Sequence, residues 1–405
     1  MNEKNIYIYY PSKIVGGAEY LLKTTADLLK NKYKVIIVDI EGGWLSKNVE
    51  DVEVISLTKD VVYLDKDSIL ITPASCVRSL DLVFDGDFKV LSWMMQTYNV
   101  SPVFPKLGRY QFINSIRNIL RFTLLRSEYE YYKSLINYLI GSNAFFIMDD
   151  NCSNEVYRVC GVRISDFLPV SIPSYKVGLD EEVQTIANRH ITCCWLGRLD
   201  GEFKTPILNH LIKELSSYAK KNNINITLNV IGDGPGMAST KSAARRNGAV
   251  KCNFLSTMQG TELKRKLLES NIGFAMGTSA LEIAALGVPT VLLDASYNKI
   301  PEDYTYNWLH EAKNYNLGYM IENEDGSMFS SRKTISEIFS ELVADSKELS
   351  FKDREYVLKN HTDVSLEPKL TGAIDKVDSS FFEMKEYGLF KKPYWNFLKR
   401  FFADS

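Results

Sequence analysis

A chain of 405 residues has room for two to three domains at about 150 residues each. With 45% hydrophobic and 24% charged residues it reads as an ordinary globular chain, and 48 Lys and Arg against 50 Asp and Glu leave a net charge of −2, so bulk charge does not mark a nucleic-acid binder. Cys76, Cys152, Cys160, Cys193, Cys194 and Cys252 form no C-x-x-C pair, and no two of the four histidines stand at metal-ligand spacing, which points to free thiols in a reducing compartment and away from a zinc site or disulfide frame.

The first residues, Met1 to Asn5, lead straight into a short strand without a signal-peptide pattern, and no apolar run reaches the roughly 20 residues that span a bilayer. A cytoplasmic location is expected, with contact at the inner face of the cell membrane left open. Ile6-Tyr7-Ile8-Tyr9-Tyr10 reads as the first strand, stopped by Pro11. Gly16-Gly17 follows, then a helical pattern from about Ala18 to Asn31 with Leu21, Leu22, Ala26 and Leu29 apolar, then a strand at Val35–Val38. Such a strand–loop–helix–strand unit makes parallel strands, whose carboxyl ends are where ligands bind. Gly16 and Gly17 let backbone N–H groups approach a phosphate or sugar because no Cβ intervenes, although a plain tight turn uses glycines in the same way. The G-x-G-x-x-G dinucleotide pattern is absent, which argues against an NAD enzyme.

Further strands are expected near 52–56, 67–72 and 88–94, with Met94 and Met95 in the core. Residues 106–133 have a different texture: Lys106, Arg109, Arg117, Arg121 and Arg126 alternate with Ile113, Ile116, Leu120 and Leu124, as in a basic amphipathic helix. The helix either shows a solvated Arg face or touches anionic lipid headgroups over 106–126. Phe145–Met148 reads as a strand, Asp150–Cys160 as a helix, and 169–189, rich in Ser, Gly, Pro and acidic residues, as the interdomain linker.

The second half repeats the alternation. Strands are expected at 191–196, 225–231, 251–255, 272–276 and 289–293, and helices at 206–220, 236–246, 261–269 and 279–286. In the stretch Gly277-Thr278-Ser279-Ala280-Leu281-Glu282, Thr278 or Ser279 can cap the helix start, and Gly287 can take a left-handed conformation at its end before Pro289. Glu282 is the single charge in that helix. It serves either as a capping carboxylate or as an acceptor for hydroxyls beside a helix N-terminus aimed at an anion. Arg198 and Lys204, in Gly197-Arg198-Leu199-Asp200-Gly201-Glu202-Phe203-Lys204, follow a strand and can reach one pyrophosphate, or are two exposed loop cations. Gly232-Asp233-Gly234-Pro235 ends another strand and either shapes a pocket wall or is a turn with Pro235 at the first helical position.

These three stretches in this order, with Val15-Gly16-Gly17-Ala18-Glu19 near the N-terminus, resemble the retaining glycosyltransferases of family four (glycosyl transferases group 1). The resemblance is closest over 190–295. It implies a GT-B fold: α/β, with two Rossmann-like doubly wound parallel-sheet domains facing across a cleft. The expected limits are 1–170 for an acceptor-side domain, 171–360 for a nucleotide-sugar-binding domain, and 361–405 for helices that cross back to the first. It further implies that Arg198 and Lys204 hold the diphosphate as the catalytic pair. Gly16, Gly17, Gly197, Gly232, Gly277, Thr278, Ser279 and Glu282 then contact the donor, with Glu282 on the ribose. The nucleoside-diphosphate sugar is the donor substrate, and neither a metal nor a cofactor is expected, since two cations can take a metal's place. Two departures stand out. Gln96 occupies a region where the family often has a His, and Phe274 stands eight positions before Glu282, where the family often has a first Glu.

After 295, helices are expected at 333–343 and 347–360, and then to about 376. The tail 389–402, with Lys391, Lys392, Tyr394, Trp395, Lys399 and Arg400, is basic and aromatic, suited to an anionic membrane surface or to docking on its own domain. The expected function is a metal-independent hexosyl- or related glycosyltransferase (EC 2.4). It would act on a glycan acceptor, lipid-linked, in lipopolysaccharide O-antigen or capsule biosynthesis, with no nucleic-acid partner. The alternatives are a catalytically inactive GT-B-like binding or scaffolding subunit, which the missing first Glu motivates, and a sugar-nucleotide epimerase of similar fold.

Overall fold

The computed structural model describes residues 4–13, 16–58, 60–100, 123, 125–178, 189–323 and 332–390. The chain divides into two compact units, one formed by 1–169 with 366–405 and the other by 170–365.

In the first unit, short and mostly apolar runs form β1 (Asn5–Tyr9), β2 (Lys34–Ile40), β3 (Glu53–Leu57), β4 (Val62–Leu64), β5 (Ser68–Pro73), β7 (Lys89–Met94) and β8 (Phe145–Ile147), with β6 (Phe84–Gly86) the more polar exception. Among the described residues six of them make one sheet in the order β3-β2-β1-β5-β7-β8, every pairing parallel, while β4 and β6 pair separately. Parallel strands need helices on both faces, which is why β5 is buried along its whole length. The helix Gly17–Leu29 covers one face with Leu21, Leu22, Ala26 and Leu29. Met94 and Met95 are core residues, as their apolar setting predicts. The expected helix over 106–126 lies almost wholly outside the described residues. The helix described here, Arg126–Gly141, takes in the last part of the expected 106–133 stretch, with Arg126 exposed at its start.

After Leu366 the chain belongs to this first unit again. Ser379 Oγ donates to the Val90 carbonyl and accepts from the Val90 amide, both at 2.8 Å, and Phe381 stacks on Phe88 with centroids 4.4 Å apart. Leu389 is buried and its carbonyl accepts from the Tyr131 hydroxyl. Residues 391–402 of the basic tail lie outside the described residues.

The second unit holds β9 (His190–Leu196), β10 (Asn225–Ile231), β11 (Val250–Leu255), β12 (Ile272–Ala275), β13 (Thr290–Leu292) and β14 (Asn307–Trp308). Their order is β11-β10-β9-β12-β13-β14, parallel except for β14, which pairs antiparallel with β13 and is an edge that the sequence reading missed. Helices Thr205–Asn222, Met237–Asn247, Gly260–Leu268 and Thr278–Ala285 connect the parallel strands. The helices expected at 333–343 and 347–360 form one span, Ile335–Asn360, broken by the extended Asp345 at φ −156°, ψ 75°. Asp345 Oδ1 accepts the Glu348 amide at 3.0 Å, so the break caps the second half.

Candidate functional site

Both sheets reverse their winding at one gap: between β1 and β5 in the first unit, and between β9 and β12 in the second. Ligands of open α/β sheets bind at the carboxyl ends of the strands flanking such a gap. In the second unit, Gly197, Arg198 and Lys204 follow β9, Gly232 follows β10, and Gly277, Thr278, Ser279 and Glu282 follow β12. Since β9 pairs with both β10 and β12, the fold gathers these eight residues at one sheet end. Gly16 and Gly17 belong to the first unit, at the carboxyl end of β1.

The turns after β9 and β10 interlock through their backbones. The Gly197 amide donates to the Ile231 carbonyl at 3.1 Å, Leu199 to Asp233 at 3.0 Å, and Gly236 to Leu199 at 2.8 Å. A Cβ on Gly232 would stand 2.2 Å from the Gly197 carbonyl oxygen, and one on Gly234 2.2 Å from that of Leu199. These glycines are therefore required by the close approach of two main chains. Pro235 is not the first helical residue. The helix begins at Met237, because Gly234 and Gly236 are held against the neighbouring turn.

Asp200 organises the turn that carries the two cations. Its Oδ1 accepts the amides of Glu202, Phe203 and Lys204 at 3.0, 3.1 and 3.1 Å, and the Gly201 amide donates to Thr205 Oγ1 at 2.9 Å. Arg198 is exposed and Lys204 half-buried. Among the described residues neither takes part in an ion pair. Burial and the nearby Arg198 push the Lys204 ammonium below the usual lysine range, with Asp200 partly offsetting them. Two neighbouring cations of which one is desolvated form a locus that an anion relieves.

Across the gap, the helix Thr278–Ala285 starts without a side-chain cap. Its N-cap residue is Gly277 at φ +63°, whose amide donates to the Leu317 carbonyl at 2.7 Å. The capping expected from Thr278 or Ser279 does not occur, because both already lie inside the helix. Their amides have no hydrogen-bond partner among the described residues, so two donors at the positive helix end are open. Gly287, at φ +80°, ends the helix as its position predicts. Glu282 is half-buried and has neither a hydrogen bond nor an ion pair among the described residues. Burial raises its carboxyl above the usual range, partly countered by Lys176.

Phe274 is fully buried within β12, and only Met276 and Gly277 separate that strand from the helix. Neither of those two residues carries a carboxylate. In the first unit Gln96 is exposed just after β7, its amide and that of Met95 held by Asn99 Oδ1 at 3.1 Å. Sequence reasoning missed three carboxylates near strand ends. Asp200 could have been found as an Asp just before a helix start, the position of side-chain-to-backbone turns. Glu19, buried in the first turn of its helix, accepts from Ser12 Oγ at 2.7 Å. Asp39, buried at the end of β2, accepts the Ile40 amide at 2.8 Å and the Ser46 amide at 3.0 Å. Both oxygens thus hold main chain, which ties Asp39 to the turn after β2.

No family model matches the chain, and no curated protein matches it. Solved structures do. Anabaena HepE, crystallised with UDP and glucose, aligns with TM-score 0.51 at 9% identity over 92% of this chain and 100% of that one. A glycosyltransferase from Rickettsia africae aligns with TM-score 0.54 at 11% identity over 94% and 100%. The lipopolysaccharide outer core galactosyltransferase WaaB in its apo form aligns with TM-score 0.52 at 10% identity over 92% and 99%. The chain has the GT-B glycosyltransferase fold. At such identities the likeness concerns the fold alone, since one fold hosts many functions. Among the described residues of this GT-B chain, no group of three or more His, Cys, Asp or Glu could hold a metal ion, and no helix is long and apolar enough to cross a membrane.

Proposed function

We propose that the chain is a retaining glycosyltransferase of the family-four kind, moving a sugar from a nucleoside-diphosphate sugar to a glycan acceptor. The observation that carries this reading is the set of unsatisfied groups at the strand-order reversal of the second unit. Arg198 and Lys204 lack ion pairs, the Thr278 and Ser279 amides are open, and Glu282 lacks a donor, all among the described residues. A sugar nucleotide fits each of them. Its diphosphate takes the two cations and the helix amides, and its ribose hydroxyls donate to Glu282. Negative charge on the diphosphate grows as the sugar leaves, so Arg198 and Lys204 bind the transition state more strongly than the ground state. With two cations in this role the transfer needs no metal. No side chain is assigned as a nucleophile. As the resemblance implies, the departing phosphate assists the acceptor on the same face, and Gly16 and Gly17 serve the sugar and acceptor. HepE, which was crystallised with UDP-glucose as well, supports a nucleotide-sugar donor by analogy. The test is calorimetry of a panel of sugar nucleotides with the wild type, Arg198→Ala and Lys204→Ala. Binding that both variants weaken is expected, and equal binding by all three would remove the assignment.

The acceptor is proposed to be lipid-linked, at the inner face of the cell membrane, in surface-polysaccharide assembly. The basic and aromatic stretches 106–126 and 389–402 support this, since each Lys or Arg near an anionic surface contributes about 1 kcal/mol and two weak anchors add. WaaB, named for lipopolysaccharide, lends analogy. The full chain should co-sediment with anionic vesicles in low salt and not with neutral ones. A chain ending at Phe390, which keeps the buried Leu389 and the Phe390 ring 4.8 Å from Phe381, should lose most of that binding. Failure of active full-length protein to bind anionic vesicles at any salt would leave a soluble acceptor.

A second reading, a binding or scaffolding subunit without turnover, is motivated by Phe274 where the family often has its first Glu. Sugar transfer or donor hydrolysis by the purified chain excludes it. Conversion of a nucleotide sugar to its epimer without acceptor would instead favour an epimerase.

A further inference from the structure

The turn between β9 and the helix Thr205–Asn222 contains a carboxylate where the donor-site reading alone would not place one. Asp200 lies between Arg198 and Lys204, next to the ground on which a diphosphate would sit, and its charge opposes that ligand's. Three main-chain amides converge on one of its oxygens, those of Glu202, Phe203 and Lys204, at 3.0 to 3.1 Å. The other oxygen, Oδ2, is buried and has no hydrogen-bond partner among the described residues. The same turn is pinned on both sides. The Ser296 amide, after β13, donates to the Phe203 carbonyl at 3.0 Å, and Thr205 Oγ1 accepts the Gly201 amide at 2.9 Å. A Cβ on Gly236 would come within 2.2 Å of Thr205 Oγ1, so the turn after β10 leaves Thr205 no slack.

We propose that Asp200 is the positioning residue of Lys204: its carboxylate fixes the main chain of residues 202–204, and so the base of the Lys204 side chain, at the place a diphosphate requires. The inference rests on the donor-site reading above and adds to it a group that touches no substrate. A carboxylate beside an anion site works against binding through its charge and is useful there only if the order it imposes outweighs the repulsion. Three amides on one carboxylate oxygen impose such order, each bond to a charged acceptor being stronger than one between neutral groups. The side chain of a long, rotamer-rich lysine is pre-ordered only as well as its Cα is held. The negative charge has a second consequence: Asp200 holds the Lys204 proton more firmly than burial and Arg198 alone would allow.

The test uses the full-length protein and two probes, inorganic pyrophosphate and a panel of nucleoside diphosphates, with the matching nucleosides as controls. Asp200→Ala should weaken pyrophosphate and nucleoside diphosphates by about tenfold or more while nucleoside affinity stays, because the lost order concerns the cations alone. Asp200→Asn keeps an amide oxygen for the three N–H groups and should regain affinity to within about threefold of the wild type. In that variant the alkaline fall of pyrophosphate binding should also move to lower pH, since the charge that favours protonated Lys204 is gone. A role confined to stabilising the fold would weaken nucleoside and diphosphate together. Wild-type affinity in Asp200→Ala overturns the proposal, and if Asp200→Ala does not fold, a folded Asp200→Asn that loses pyrophosphate affinity by about tenfold or more overturns it instead. Absence of any pyrophosphate or nucleoside-diphosphate binding by the wild type is a different failure. It removes the donor reading, and this inference with it.

Discussion

Lys204→Ala is expected to lower kcat for sugar transfer by about 10²- to 10³-fold, the loss produced when one preorganised donor to a developing anion is removed. Lys204 is the N-cap residue of the helix Thr205–Asn222, so its Cα is held by the helix on one side and by Asp200 on the other. Its ammonium is half-buried and next to Arg198, and both push it below the usual lysine range. A desolvated cation interacts with a growing negative charge more strongly than an exposed one. Arg198 is exposed and screened by salt, so Arg198→Ala should cost less in kcat and more in low-salt donor affinity. The pH profile follows from the sign of the shift. Lys204 must be protonated to hold the diphosphate, and its charge is lost as pH rises through a pKa lower than that of an ordinary lysine. Donor binding should therefore fall on the alkaline side before an ordinary lysine titrates, and that limb should be missing in Lys204→Ala. A variant with wild-type kcat and KM would show that Lys204 does not meet the diphosphate.

The parallel strands of both six-stranded sheets and the helices between those of the second unit were legible because their apolar runs and their Gly, Pro and Asp punctuation agree. Asp150–Cys160 and 225–231 are found as read, with Asp149 capping the first by accepting the Cys152 amide at 3.0 Å. The strand-order reversal that gathers Arg198, Lys204 and Glu282 is a property of the sheet and has no local signature. Thr278 and Ser279 illustrate the limit of local rules. Both are good caps, yet Gly277 takes the N-cap position because its amide bonds to Leu317, forty residues on. Asp345 and the short antiparallel β14 were missed for a related reason, since a helix break and a two-residue strand carry almost no periodicity. The role of Asp200 was hidden inside a motif read for its Arg and Lys. Whether a carboxylate in such a turn bonds main chain or ligand depends on φ and ψ that the sequence does not display.

Gly234→Ala should be the most damaging single-methyl substitution in the second unit, lowering its stability by about 3 kcal/mol or more, through overpacking and an unfavourable backbone angle together. For a unit of this size that is a fall in Tm of about 6–12 °C. Gly234 stands at φ +150°, which side chains rarely adopt, and its Cβ would meet the Leu199 carbonyl oxygen at 2.2 Å and the Leu199 carbonyl carbon at 2.6 Å. Those atoms are main chain, so relief requires the turn after β9 to move as a body, taking Arg198, Asp200 and Lys204 with it. The same turn is bonded to its neighbour by the Leu199–Asp233 and Gly236–Leu199 hydrogen bonds, both of which the shift would lengthen. Loss of stability and loss of diphosphate affinity should thus appear together in this variant. Gly17→Ala is the contrasting case. Nothing lies within 4 Å of its Cβ position, the residue begins a helix, and stability should stay within about 0.5 kcal/mol of the wild type. Thermal unfolding and nucleoside-diphosphate titration of the two variants side by side make the comparison. If Gly234→Ala unfolded at the wild-type temperature and bound nucleoside diphosphate undiminished, the two turns would not be interlocked as described, and Arg198 and Lys204 would owe their placement to something else.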